Sequence, residues 1–176
     1  TTAPAPMQTR GPSPKGSQVP AEVYDNLYRE FNPTNFDPRE WVAVAKAAGM
    51  KYLVFTARHH DGYSLWPSAV GGFGVRTHLG RRDFVRPCVE ACRRCGLKVG
   101  LYYSPPDWFM NRPYTRFLAP DAPPMPEAHE AGFRGYVRQQ LRELLTGYGT
   151  IDLAWFDGGC EGAMTLEEVR GLQPGI

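Results

Sequence analysis

The stretch Lys51-Tyr-Leu-Val-Phe-Thr-Ala-Arg58-His59-His60-Asp61-Gly62 decides how this chain is read. Its apolar run is short enough to be a buried strand, and it breaks at its C-terminal end into residues that ionise or donate hydrogen bonds. A second stretch, Ile151-Asp-Leu-Ala-Trp155-Phe156-Asp157-Gly158-Gly159, has the same form. In parallel α/β folds, and in (β/α)₈ barrels above all, the loops leaving the C-terminal ends of the strands build the active site. Both stretches therefore point to catalysis.

Helical patterns alternate with the apolar runs. Asp37-Pro38-Arg39-Glu40 has a capping side chain, a first-turn proline and a reciprocal Glu at the spacing of a capping box. Trp41, Val42, Val44, Ala45 and Ala48 give the helix that follows an apolar face, and Gly49 ends it before the strand 51–57. A second helix runs from Asp83 to Gly96 and is followed at once by Leu97-Lys-Val-Gly-Leu-Tyr-Tyr103. Phe133, Val137, Leu141, Leu144, Leu145 and Tyr148 recur at spacings of three and four, which predicts a third helix leading into the strand Ile151 to Phe156. Thr165-Leu166-Glu167-Glu168 is another capping box and opens a last helix. Three strands alternating with four helices mean a parallel sheet with right-handed crossovers, so the class is α/β.

Around this pattern, Tyr24 to Asn32 reads as one or two helical turns. The first twenty residues, with five prolines and no apolar period, read as a disordered or extended tail before a domain over 21–176. The exit loops, Asp61 to Arg82 and Ser104 to about Glu127, are long for a compact fold and are candidate substrate walls. A complete barrel needs about 250 residues. A chain of 176 is therefore expected to be a partial (β/α)₈ barrel, covering roughly the second to fourth strands.

Composition narrows the function. A net charge of +2, from 20 basic and 18 acidic residues, makes no strong field for drawing the chain onto nucleic acid or an anionic membrane. No apolar run approaches the roughly 20 residues of a membrane span. The opening Thr1-Thr-Ala-Pro lacks the regions of a signal peptide, although a chain beginning with Thr would look the same after removal of a leader. Cys88, Cys92 and Cys95 have the Cys-x₃-Cys-x₂-Cys spacing of the radical S-adenosylmethionine enzymes, a rival reading. The same positions lie at i, i+4 and i+7 of a helix, where free cysteines pack as small hydrophobes, and a buried stripe is the expectation for all three.

The residues with chemistry sit at the strand ends. His59 and His60 point to opposite sides of the pleat unless the strand is already breaking, and Asp61-Gly62 suits a tight turn that aims them. Two histidines with no third ligand at metal-site spacing predict no metal. Trp155 and Asp157, two apart, share a face of their strand. A sugar ring fits that pair, its C–H face on the indole while the carboxylate reaches the anomeric carbon. Alternation sends one of Tyr102 and Tyr103 toward the site and leaves open which. Trp66 and Trp108, in the loops, are candidate stacking surfaces.

Taken together, these motifs resemble the glycoside hydrolase family 29 α-L-fucosidases. The resemblance rests on Tyr24-Asp-Asn-Leu-Tyr28-Arg-Glu-Phe-Asn-Pro33, on Phe36-Asp37, on Lys51 to Gly62 with Trp66-Pro67-Ser68, on Gly96 to Ser104 and on Tyr148 to Gly158. It implies that Asp157 is the nucleophile of a retaining hydrolysis, that Trp155 lines the pocket, and that His59 and His60 hold the fucose hydroxyls. By the same resemblance one of Tyr102 and Tyr103 lies near the anomeric centre. The implied partner is a fucosylated glycan or a small fucoside, with no cofactor, nucleic acid or membrane, and the family's habit is a secreted, periplasmic or lysosomal location. The family's His-Trp-Gly motif does not appear before Tyr24, and its acid/base carboxylate is expected beyond the fourth strand. The chain alone is accordingly expected to have little or no activity. A non-catalytic fucose-binding or vestigial relative is the alternative within the family.

Overall fold

The computed structural model describes residues 19, 21–116, 121–160 and 162–176, with the backbone alone for 21 and 22. The expected N-terminal tail, apart from Val19, and the carboxylate of Glu161 lie outside these residues. A short helix α1 (Ala21–Tyr24) and a 3₁₀ turn at Leu27–Glu30 open the described chain. There follow α2 (Pro38–Ala47), β1 (Tyr52–Arg58), α3 (Val85–Arg94), β2 (Lys98–Tyr103), α4 (Glu127–Gly147), β3 (Leu153–Phe156) and α5 (Leu166–Leu172).

Caps account for the helix starts. Asp37 accepts a hydrogen bond from the Arg39 amide at 2.9 Å and also pairs with the Arg39 guanidinium, so the cap of α2 closes on Arg39 rather than on Glu40. Asp83 takes the amides of Val85 and Arg86, each at 2.9 Å, at the start of α3. Thr165 and Glu168 close a reciprocal capping box on α5. Helix α4 begins at Glu127, ahead of the first residue of its apolar period, because its first turns are solvated and need no buried stripe.

The three strands form a parallel sheet in the order β1-β2-β3, with Phe55 opposite Leu101 and Leu101 opposite Ala154. One face carries the helices. Ala57, Val99, Leu101 and Tyr103 meet Val85 and Val89 of α3 and Val137, Leu141, Leu144 and Leu145 of α4 in one buried cluster. The opposite face bears Tyr52, Val54 and Thr56 of β1, Lys98 and Tyr102 of β2, and Leu153 and Trp155 of β3; it is open, and Trp155 is 57% exposed.

Two expectations are corrected. Cys88 and Cys92 are buried in α3 but Cys95, the C-cap, is exposed, because the helix ends there and Gly96 turns the chain away at φ 68°. The strand before Asp157 starts at Leu153 rather than Ile151; the Ile151 amide is taken by the Gln173 side chain at 3.0 Å instead of by the sheet.

Leu141 is 1% exposed at the centre of the helix layer. Leu141→Ala is expected to destabilise the fold by about 2–5 kcal/mol through lost burial and an unfilled cavity, measured as a lower urea midpoint at unchanged slope.

Candidate active site

The site is built where the three strands end on the open face. Between Thr56 and Arg58 the register of β1 against β2 slips by one residue, Thr56 facing Tyr102 and Arg58 facing Tyr103. Such a bulge re-aims the side chains that follow it. Arg58 goes down into the helix layer beside Tyr103, and His59 emerges on the side of Tyr102, whose ring it stacks at 5.6 Å and 8°. The Gly62 amide closes the turn on the His59 carbonyl at 3.0 Å, and Asp61 accepts the Tyr63 amide at 2.8 Å. His60 lies edge-on to His59, with ring centroids 4.7 Å apart, so the breaking strand keeps both histidines together.

Asp157 follows β3, its amide donating to the Tyr103 carbonyl at 3.1 Å as the ladder ends. Gly158 then turns at φ 92° under Pro106, whose Cγ lies 2.8 Å from where a Cβ would stand. The Asp157 side chain is 44% exposed toward the open face, with His60 Nε2 at 3.3 Å from Oδ2. The Tyr102 hydroxyl donates a short hydrogen bond to the same oxygen and accepts one from Ser104 Oγ at 2.9 Å. Among the described residues nothing hydrogen-bonds to Oδ1. The Tyr102 ring also meets Trp155 edge to face at 5.7 Å, so a carboxylate, two imidazoles, a phenol and an indole converge on one patch.

The electrostatics follow from these contacts. The Tyr102 hydroxyl, more than any other group, holds Asp157 below the ordinary carboxylate range, opposed by desolvation and aided by His60 and His59. Tyr102 moves up, through burial first and then its bond to Asp157, and remains a donor. Asp61 is also raised, by burial, and it lines an adjoining cavity of about 380 Å³ together with His59, Tyr24, Tyr28, Tyr63 and Phe73. One ligand atom from each of His59, His60 and Asp157 lies within 4.8 Å of the others, so a cation would use these three. The same atoms serve equally as donors and acceptors for hydroxyl groups, and Tyr102 already competes for the carboxylate.

Five of the predicted site residues, His59, His60, Tyr102, Trp155 and Asp157, are thus brought together. Tyr103 and Trp66 are not. Tyr103, 1% exposed, lies on the helix side with its hydroxyl between Arg58 and Gln140. Trp66 is buried with its Nε1 donating to Glu143 at 2.9 Å, which pins the loop to α4 instead of offering a stacking face. Trp108 stacks on His60 at 5.2 Å and 28°. His129 meets Asn111 at 2.9 Å. Sequence reading passes over Arg58 and Asp107, a buried ion pair at 2.7 Å beneath the histidines. The one available signal is an arginine at the end of an apolar strand.

A parallel α/β sheet with an ionised carboxylate, paired histidines and aromatic rings at its C-terminal edge is an arrangement suited to carbohydrate. Comparison with known proteins gives the family. Residues 16–171 match the family model described as alpha-L-fucosidase, and the chain belongs to that family. It is 34% identical over 131 residues to alpha-L-fucosidase 1 of Arabidopsis thaliana, covering 73% of this chain and 23% of that protein. It is 31% identical over 143 residues to the tissue alpha-L-fucosidase of Homo sapiens, covering 81% of this chain and 29% of that one. Among solved structures, alpha-L-fucosidase isoenzyme 1 from Paenibacillus thiaminolyticus superimposes with a TM-score of 0.73 at 37% identity, over 90% of this chain and 41% of the other. Alpha-L-fucosidase AlfC from Lactobacillus casei, in complex with alpha-L-fucose product, gives 0.71 at 34%, over 90% and 56%. The chain thus spans less than a third of these two curated relatives. Membership of this family leaves no place for the radical-enzyme reading, and the cysteines of α3 divide between core and surface.

Tyr102→Phe removes the main cause of the Asp157 shift, so the carboxyl is expected to titrate at higher pH, toward its ordinary 3.8. Because the folded value lies below the unfolded one, the carboxylate's contribution to stability is present above that ordinary value and is lost as pH falls through the folded one. The ¹³Cγ shift of Asp157 against pH reads the change; an unmoved midpoint would assign the depression to the histidines.

Proposed function

We propose that this chain is part of the catalytic domain of a retaining α-L-fucoside hydrolase, with Asp157 as nucleophile. The observation that carries the reading is the carboxylate itself: ionised, anchored through Oδ2 by Tyr102 and His60, and part of a side chain that is 44% exposed. Oδ1 attacks the anomeric carbon, the bond to the leaving oxygen breaks, and a second carboxylic acid protonates that oxygen. The same acid then takes a proton from the water that cleaves the fucosyl ester.

His59 and His60 hold ring hydroxyls, and Trp155, exposed beside Tyr102, takes the apolar side of the sugar. An AlfC variant has been solved in complex with 4-nitrophenyl-a-L-fucopyranoside substrate, and that class of fucoside is the substrate proposed here. The three parallel strands are read as the second to fourth of a (β/α)₈ barrel, with their open face toward its axis. A retaining pair needs its two carboxyls about 5 Å apart on a rigid frame. Among the described residues none stands opposite Asp157 in that role, so the chain alone is proposed to turn over little or no substrate.

The test uses the full reading frame that encodes this chain, assayed with an aryl α-L-fucoside. Release of the aryl group, falling by several orders of magnitude in Asp157→Gly, is the expected result. A folded wild type with no activity would move the function to binding or to a different sugar.

A further inference from the structure

We propose that the buried Arg58–Asp107 ion pair is a positioning device that fixes the His60 ring against Asp157 through Trp108. The inference rests on the reading of Asp157 as the reacting carboxylate. Arg58 and Asp107 are 0% and 1% exposed, with Nη2 and Oδ2 2.7 Å apart. Removing two charges from water is expensive, and a buried pair of this kind commonly stabilises a fold no better than apolar residues of the same size. Its value lies in direction.

Both terminal nitrogens of Arg58 and both carboxylate oxygens of Asp107 are engaged, and only Arg58 Nε has no hydrogen-bond partner among the described residues. The guanidinium lies over the Tyr103 ring at 4.8 Å, donates to the Tyr103 hydroxyl and reaches Gln140 Oε1 of α4 at 3.2 Å. Gln140 in turn donates to Ser64 and Ser68 in the loop after β1, at 3.0 and 3.2 Å. Asp107 gives Oδ2 to Arg58 and Oδ1 to the amides of Phe109 and Met110, at 2.9 and 2.8 Å. The carboxylate therefore sets the turn that carries Trp108. It also sits against Gly62, where a Cβ would come within 2.6 Å of Oδ1, so the turn after the histidines is shaped to admit it.

Trp108 delivers this geometry to the site. Its amide donates to the His60 carbonyl at 2.7 Å, and its indole stacks on the imidazole at 5.2 Å. His60 needs the support. Its Nδ1 is buried with no hydrogen-bond partner among the described residues, so nothing on that side of the ring sets its angle. The Trp108 stack, the edge-on ring of His59 and Asp157 at Nε2 hold it, and a tilt would carry Nε2 away from the carboxylate at 3.3 Å.

The test reads the His60 ring directly, in protein labelled with ¹³C at histidine and without sugar, so it stands or falls separately from the hydrolytic reading. Asp107→Asn keeps the acceptor for the two amides and removes the charge. It is expected to lower the ring order parameter of His60 and to move its protons downfield as the indole shifts away, while those of His78 stay in place. Arg58→Lys, which keeps the cation, is expected to retain most of the wild-type order. A folded Asp107→Asn with an unchanged His60 order parameter would overturn the proposal. Should that variant fail to fold, Trp108→Leu decides, since it leaves the ion pair whole: loss of His60 order supports the relay and full retention overturns it. In the full reading frame, Asp107→Asn is expected to reduce kcat/KM on an aryl α-L-fucoside by up to about 100-fold, mostly in kcat.

Discussion

The one-residue slip at the end of β1 is the constraint on which the site depends. Side chains of a strand alternate between faces, so without it Arg58 would share the open face with Thr56, and His59 would turn into the helix layer. The slip reverses both. It buries a cation, which must then find an anion, and the anion is Asp107 at the start of the next strand's loop. One extra residue thereby joins the ends of two neighbouring strands and sets the histidines at the rim.

The two faces of the sheet tell the same story from opposite sides. On the helix side most buried polar side chains have a partner: Tyr103 and Arg58 meet Gln140, Trp66 meets Glu143, and Gln173 takes the Ile151 amide, while Arg58 Nε is left without one among the described residues. That is how a core containing arginine, glutamine and tyrosine escapes the cost of unsatisfied burial. On the open face Tyr52 and Trp155 are more than half exposed, on the outer strands β1 and β3 of the sheet. A large aromatic at a strand end, left uncovered beside a carboxylate, fits a ligand surface better than a packing surface.

Much of this was legible in the chain. The alternation of apolar runs with capped helices is enough for a parallel α/β sheet, and the polar residues at the run ends mark the rim where Asp157, Trp155 and the two histidines meet. What could not be read has a common physical origin. Choosing between Tyr102 and Tyr103 requires the register of β2 against its neighbours, which no local pattern carries. Trp66 reads as a stacking surface only until Glu143, more than seventy residues away, is seen to take its indole nitrogen. The Arg58–Asp107 pair joins residues 49 positions apart, and Cys95 leaves the apolar stripe only because the helix stops one residue before it.

The charges at the rim also assign the parts of the proposed reaction. Asp157 is held low by a phenol and two imidazoles, so near neutral pH it is ionised, which suits attack on carbon and disqualifies it as the proton donor. Tyr102 is pushed the other way and stays a donor, able to steady the carboxylate while Oδ1 reacts but a poor base. A proton donor in such chemistry needs a carboxyl raised by burial. Asp61 has that property, yet its Oδ1 is committed to the Tyr63 amide and it faces the cavity of Tyr24 and Tyr28. Its neighbours hold it as the turn that aims His59, which argues for a residue other than Asp61 as the acid of the proposed reaction.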